Sequence, residues 1–262
     1  MPPIRPVGDS VAPVAPPEFE DRRLSFGAGA SSYADHRPGY PAEAVEWVLA
    51  AATGPVRDVA DVGAGAGALT RVLLGMGLDV TAYDADAQML AELERRVPGV
   101  PTHVATAESL PLDDESVDAV LVAQAWHWFD KPAAATEFLR VVRPGGVIGL
   151  LWNMRDTAVA WMDALSDLIE GEDTMRASRT EARDEIASVH PGVESAEFPH
   201  TVAMTPDELL GLISTYSYVR LRPDADDVYA AVRHLLATHP DTAGLDVIHV
   251  PYVTATYRVR PS

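Results

Sequence analysis

A doubly wound, mostly parallel α/β sheet is the fold this chain predicts, and three observations carry the prediction. Strand-like and helix-like segments alternate five times over residues 56–152, the arrangement that right-handed crossovers turn into a parallel sheet. Two of the strand segments, "VDAVLVAQA" from Val117 and "GVIGLLW" from Gly146, are continuous apolar runs, as suits strands covered by helices on both faces. A glycine-rich stretch, "DVGAGAGALT" from Asp61 to Thr70, joins the first strand to a helix.

The elements follow in order. Prolines at 2, 3, 6, 13, 16 and 17 mark residues 1–24 as a disordered tail. The domain is expected to span 25–262: an N-terminal lid and helix over 25–55, a core over 56–155 and a helical cap over 204–245 inserted before the last strand. "PAEAVEWVLAAA" from Pro41 spaces Ala44, Val45, Val48 and Leu49 on one helical face, with proline suited to the first turn. "PVRDVADV" reads as a strand, and "ALTRVLLGMG" as a helix stopped at Gly77. "LDVTAYD" is the second strand, "ADAQMLAELERRV" the second helix, and a short third strand lies near Thr102 to Thr106. "KPAAATEFLRVVRPGG" is predicted to be a helix closed by a Pro-Gly-Gly turn. Residues 157–189 read as helix, "VESAEFPHTVAM" as a strand, 206–238 as two helices, and "VIHVPYVTATYRV" as a last strand.

Composition narrows function. With 39 acidic against 20 basic residues in 262, the net charge of -19 repels phosphate backbones and anionic membrane surfaces, so neither nucleic acid nor membrane is an expected partner. The chain has no cysteine, which excludes disulfides and thiolate chemistry and permits a cytoplasmic location. The anchors of the hydrolase, zincin and triphosphatase motifs are absent from the sequence. His234 and His239 are five apart, off one helical face, and the acids of "LDDESVD" read as a solvated turn, so no metal site is expected.

The glycine loop fits two cofactors on its own residues. Gly63-x-Gly65-x-x-Ala68 matches the dinucleotide fingerprint, whereas Asp61-x-Gly63-x-Gly65-x-Gly67 matches the loop of methyl-donor enzymes. Glycines at a helix N-terminus let a ligand approach the backbone and leave amides to bind it. Asp84 closes the second strand, where a carboxylate accepts ribose hydroxyls of either cofactor. A helix and a lid-like "SFGAGASSYADHRPGYP" precede the first strand, and no second substrate domain follows the fifth, which favours the methyl donor.

"DVGAGAGALT", "AYDADAQML", "ATAESLPLDDESVDAVLVAQAWHWFD" and "EFLRVVRPGGVIGLLWN" together resemble the successive motifs of class I S-adenosylmethionine-dependent methyltransferases, over roughly residues 25–155. The resemblance is greatest to small-molecule enzymes such as trans-aconitate and quinone-biosynthesis methyltransferases. It implies a Rossmann-like, seven-stranded sheet with the last strand antiparallel, and S-adenosylmethionine (product S-adenosylhomocysteine) over the ends of the first two strands. On this likeness Asp61, Gly63, Ala64, Gly65 and Gly67 take the methionine part, Asp84 the ribose, and Ala85 and Met89 flank the adenine. Thr106, Ala107 and Glu108 stand where relatives read the adenine edge; a carboxylate is commoner at position 106, with Glu108 a substitute. Gln124 belongs beside the methionine end, and Tyr33 in the lid over the donor.

The acceptor side is read from the strand ends. Trp126 and Trp128 form a pocket wall in this reading, with His127 between them as the candidate base, its ordinary pKa near 6.5 suiting neutral pH. Arg37 and Tyr40 from the lid, Asn153 and Arg155 after the fifth strand, and Tyr216, Ser217 and Tyr218 of the cap complete the acceptor set. Two cations and an amide in one crevice suit a small acidic or polar acceptor methylated on a carboxylate or hydroxyl oxygen. C- or N-methylation, a nicotinamide-dependent oxidoreductase and a non-catalytic donor-binding protein are the alternatives. The oligomeric state is not legible.

Overall fold

The computed structural model describes residues 38–170 and 192–261. Residues 1–24 of the expected tail, residues 25–37 of the expected lid and residues 171–189 of the expected 157–189 helix lie outside them.

Helix α1 (Ala42–Leu49) leads into β1 (Asp58–Val62), α2 (Ala68–Gly75), β2 (Asp79–Asp84), α3 (Ala87–Arg96), β3 (Thr102–Val104) and β4 (Val117–Ala123). After a single 3-10 turn at Trp126–Trp128 come α4 (Lys131–Val141), β5 (Val142–Arg155), α5 (Ala160–Glu170) and β6 (Glu194–Met204). The cap helices α6 (Pro206–Ser214), α7 (Ser217–Arg220) and α8 (Ala225–Thr238) precede β7 (Ile248–Val259). The cap therefore has three helices where the periodicity predicts two, a four-residue turn filling the gap. The strands form one seven-stranded sheet in the order β3-β2-β1-β4-β5-β7-β6. β1 to β5 pair in parallel and β7 is antiparallel to both neighbours.

Local chemistry sets the element ends. The Asp86 side chain accepts from Gln88 N at 2.8 Å to start α3, and Asp130 accepts from Ala133 N to start α4. Thr205 and Glu208 form a reciprocal capping box at α6, with Pro206 in its first turn. The apolar runs are buried on both faces. Ala119 and Leu121 of β4 pack with α1 and α2, whereas Val120 and Val122 pack with Phe138 and Val141 of α4. The cap has a core of its own, built from Trp161, Met162, Leu165, Leu209, Leu212, Val232 and the β7 residues Ile248 and Val250.

The Pro-Gly-Gly sequence does not close α4 before a later strand. The strand begins at once at Val142, and Pro144-Gly145-Gly146 is a bulge inside it: β4 advances two residues, Val117 to Ala119, while β5 advances five, Val142 to Val147. Gly145 is in the left-handed region (φ 81°) and its carbonyl accepts from Thr53 N at 2.8 Å, while a Cβ on Gly146 would stand 2.5 Å from the Asp118 carbonyl. Asp118, expected in a solvated turn, instead accepts from Arg57 N, Asp58 N and Arg143 Nη1, clamping β1 and β5 to β4 at the edge remote from the strand C-termini.

At Gly149 the side chain of Val48 from α1 packs directly on the backbone of β5. An added Cβ would lie 2.2 Å from Val48 Cγ1 and 2.6 Å from Leu121 Cδ2. Gly149→Ala is accordingly expected to destabilise the protein by about 1–3 kcal/mol through overpacking. A urea midpoint equal to wild type would show that α1 can retreat without cost.

Candidate active site

The three loop glycines have different reasons to be glycine. All have positive φ, 70°, 54° and 84° for Gly63, Gly65 and Gly67. A Cβ on Gly63 would come 2.4 Å from Ala125 Cβ, and one on Gly67 would come 2.9 Å from Leu93 Cγ. These two let the loop pack against the turn after β4 and against α3. Gly65 has nothing nearer than Met89 Cε at 4.0 Å, so at this position the loop turns an open backbone outward, the cradle a ligand requires. Gly63 N and Ala64 N both donate to the Tyr83 carbonyl of β2, which anchors the loop to the neighbouring strand.

Two carboxylates flank this loop. Asp61, in β1, is fully buried; its Oδ2 accepts from Thr70 Oγ1 at 2.6 Å and its Oδ1 has no hydrogen-bond partner. Burial pushes its carboxyl up to about 7, with the nearby Asp84 charge adding to the effect and the Thr70 hydroxyl opposing it. Asp84, at the end of β2, accepts from Gly65 N through Oδ2 and from Asp86 N through Oδ1, at 2.8 and 2.9 Å. Burial raises its pKa too, against the pull of those amides. An orphaned buried carboxylate oxygen suits a ligand that brings a cation, and S-adenosylmethionine carries an ammonium on its methionine part. The residues present fit that donor.

The remaining donor-side candidates fall around the same strand ends. Met89 is buried beside the loop and Ala85 is exposed at the head of α3. Thr106 bridges Ser109, Ala107 is buried, and Glu108 Oε1 accepts from Asp130 N at 2.8 Å, so this carboxylate is turned toward the start of α4. Gln124 has a left-handed backbone (φ 58°), and its Nε2 donates to the Asn153 carbonyl at 2.8 Å.

On the acceptor side the structure divides the expected set. Trp126 is buried against Phe129 and Phe138 in the core beneath α4, its indole N–H without a partner; the 3-10 turn rotates it inward. The pocket wall expected of it is thus replaced by a core role, and only His127, exposed, and Trp128, half-buried, remain at the surface of that turn, their rings 4.7 Å apart. Asn153 is likewise taken up by the scaffold: its Nδ2 donates to the Gly39 carbonyl at 2.8 Å and its Oδ1 accepts from Thr254 Oγ1 at 2.6 Å. Tyr40 is buried in the cluster between α1 and the sheet. Tyr33 and Arg37 lie outside the described residues, and Ser217 opens α7.

Arg155, Tyr216 and Tyr218 do meet. The Arg155 Nε donates to Ser166 Oγ of α5 at 2.9 Å, its Nη1 reaches the Tyr218 hydroxyl at 3.3 Å, and its guanidinium lies 5.9 Å from the centre of the Tyr216 ring. The two tyrosines stack with centroids 5.3 Å apart. Sequence reasoning missed Ser166, which is buried on an apolar helix, and Thr254, buried within a β-branched strand; neither carries a local signal. Thr70 had one, standing in the first turn of the helix that follows the loop.

A mostly parallel sheet in this strand order, with the last strand antiparallel, a glycine loop after β1 and acids near the ends of β1 and β2, defines an S-adenosylmethionine-dependent methyltransferase of class I. The chain belongs to the methyltransferase family: a model described as "Methyltransferase domain" matches residues 60–150, and an uncharacterized methyltransferase of Mycobacterium tuberculosis is 42% identical over 242 residues, covering 91% of this chain and 96% of that protein. The solved structure of a candidate type II methyltransferase from Anaeromyxobacter dehalogenans superposes with a TM-score of 0.68 at 26% identity, covering 86% of this chain and 97% of that one. Over 131 residues the chain is also 33% identical to a malonyl-[acyl-carrier protein] O-methyltransferase of Enterobacter lignolyticus, covering 50% of this chain and 52% of that protein. Family membership sets aside the nicotinamide oxidoreductase reading.

Proposed function

We propose that the enzyme methylates an oxygen of a small acidic or polar acceptor, held between the His127 turn after β4 and the Arg155, Tyr216 and Tyr218 cluster under the cap. The observation that carries this reading is Arg155: a cation at the carboxyl end of β5, where ligands bind in open α/β sheets, oriented by Ser166 and stacked aromatics in an otherwise acidic chain. Among side chains a guanidinium is well matched to a carboxylate. The partly matching relative from Enterobacter lignolyticus, named for O-methylation, is consistent with the choice of oxygen.

In this reading Asp61 receives the donor's ammonium, Gly65 backs it and Asp84 takes the ribose hydroxyls. Bound S-adenosylmethionine supplies a methyl group activated by its sulfonium charge. The chain's own work is alignment and exclusion of water: Arg155 orients the acceptor, and the cap covers it. A carboxylate acceptor is a nucleophile as it stands, whereas a hydroxyl needs His127 to take its proton.

Incubating a native small-molecule extract with the enzyme and isotopically labelled S-adenosylmethionine, followed by mass spectrometry, identifies the acceptor; label found only on carbon or nitrogen overturns the oxygen assignment. With a carboxylate acceptor, Arg155→Ala is expected to raise KM with kcat little changed, and His127→Ala to have a modest effect. With a hydroxyl acceptor, His127→Ala should lower kcat about 10²–10⁴-fold. Wild-type kinetics in both variants would refute the pocket.

A further inference from the structure

The turn after β4 carries strain at a residue that is not glycine. Gln124 is one of two such residues with positive φ among those described, the other being Glu115. A strained conformation persists only where its surroundings over-determine it. Here two bonds to β5 do so: Gln124 N donates to the Leu151 carbonyl at 2.9 Å and Gln124 Nε2 to the Asn153 carbonyl at 2.8 Å. Asn153 is itself immobilised from both sides, by Gly39 and by Thr254, so the second grip is on a fixed point. The next residue, Ala125, is the one whose methyl occupies the space that a Cβ on Gly63 would need, and Phe129 of the same turn closes the other side at 3.2 Å.

We infer that Gln124 is a positioning residue for the donor site: by gripping two β5 carbonyls it holds the left-handed turn that seats Ala125 and Phe129 against Gly63 and so fixes the path of the glycine loop. This assigns Gln124 an action through the loop, in place of the direct donor contact the family resemblance implies. The inference rests on the reading of that loop as the donor site.

Two substitutions separate the grip from the strain. Gln124→Met keeps the length and removes the side-chain N–H donor, leaving the left-handed backbone held only by the main-chain bond to the Leu151 carbonyl. Gln124→Gly also removes the donor, but glycine adopts positive φ without penalty. S-adenosylhomocysteine binding is measured by calorimetry, and amide hydrogen exchange is followed in the ligand-free protein. The expected result is about tenfold weaker binding in Gln124→Met, faster exchange over residues 61–67 with cap helices α6 and α8 unchanged, and recovery of most of the affinity in Gln124→Gly. Wild-type binding and exchange in Gln124→Met would overturn the inference, as would loss of protection throughout the cap as well as the loop. If the wild-type protein itself fails to bind S-adenosylhomocysteine, the donor-site reading falls, while the exchange comparison still decides whether Gln124 holds the loop.

Discussion

Asp61→Asn is expected to make the protein more stable above pH 7 while weakening its hold on the donor. The Asp61 carboxyl is fully buried and held up at about 7, against an ordinary 3.8. Between those values the folded state keeps its proton and the unfolded state has released it. Stability is therefore fully present below about pH 4, falls as the pH rises toward 7, and levels off above it. A displacement of roughly three units corresponds to an upper bound of about 4 kcal/mol. The amide cannot ionise, so the variant should lose this slope, unfolding at the same denaturant concentration as wild type near pH 4 scaled for its other groups, and at a higher one at pH 8. The cost falls on the ligand. The oxygen left without a partner is the one that would meet the donor's ammonium, and losing a charge-assisted bond there should reduce affinity about 10- to 100-fold. Wild-type affinity should rise with pH through 7 as Asp61 ionises, and that of the variant should stay flat. Parallel stability curves for the two proteins would show that Asp61 is not the titrating group.

The sheet was legible because its central strands β4 and β5 are buried on both faces and read as apolar runs whose alternate residues serve different helices. The places of Asp61, Gly65 and Asp84, near strand ends and in the loop before a helix, were legible because periodicity locates those positions. Side chains on turns were not. Trp126 and His127 are adjacent in sequence, yet a single 3-10 turn sends one into the core and leaves the other at the surface. Asn153 stands at a strand end beside Arg155 and looks equally available, but Thr254 and Gly39, 101 and 114 residues away, claim its amide. The Pro-Gly-Gly bulge was hidden for another reason: a proline followed by two glycines ends a helix and interrupts a strand with the same residues, and only the register against β4 distinguishes the outcomes. The Gln124 conformation carries no sequence signature at all, since glutamine is not a residue that favours positive φ.

Asp84→Ala should abolish most donor affinity, and by a larger factor than Asp61→Asn, because Asp84 acts on both the ligand and the loop. Its two oxygens accept from Gly65 N and Asp86 N, which ties the open face of the glycine loop to the head of α3. A carboxylate accepts more than one hydrogen bond per oxygen, so both oxygens remain able to take ribose hydroxyls beside the two amides. Hydrogen bonds to a charged group are worth about 1.5–3 kcal/mol each, and losing two from the ribose corresponds to roughly 10²–10⁴ in affinity. The variant also strands the Gly65 amide, the backbone group at the most open point of the loop, which should free residues 63–67 to exchange faster. The sheet itself should survive, because Asp84 ends β2 and its side chain is not part of the packed clusters. Asp84→Asn separates the two roles: one carbonyl oxygen can keep a single amide, Gly65 or Asp86, while the NH₂ group must lose the other, so its affinity should fall between wild type and Asp84→Ala. Calorimetry with S-adenosylhomocysteine measures all three. Equal affinity in wild type and Asp84→Ala would remove the ribose from this strand end and, with it, the donor from the crevice.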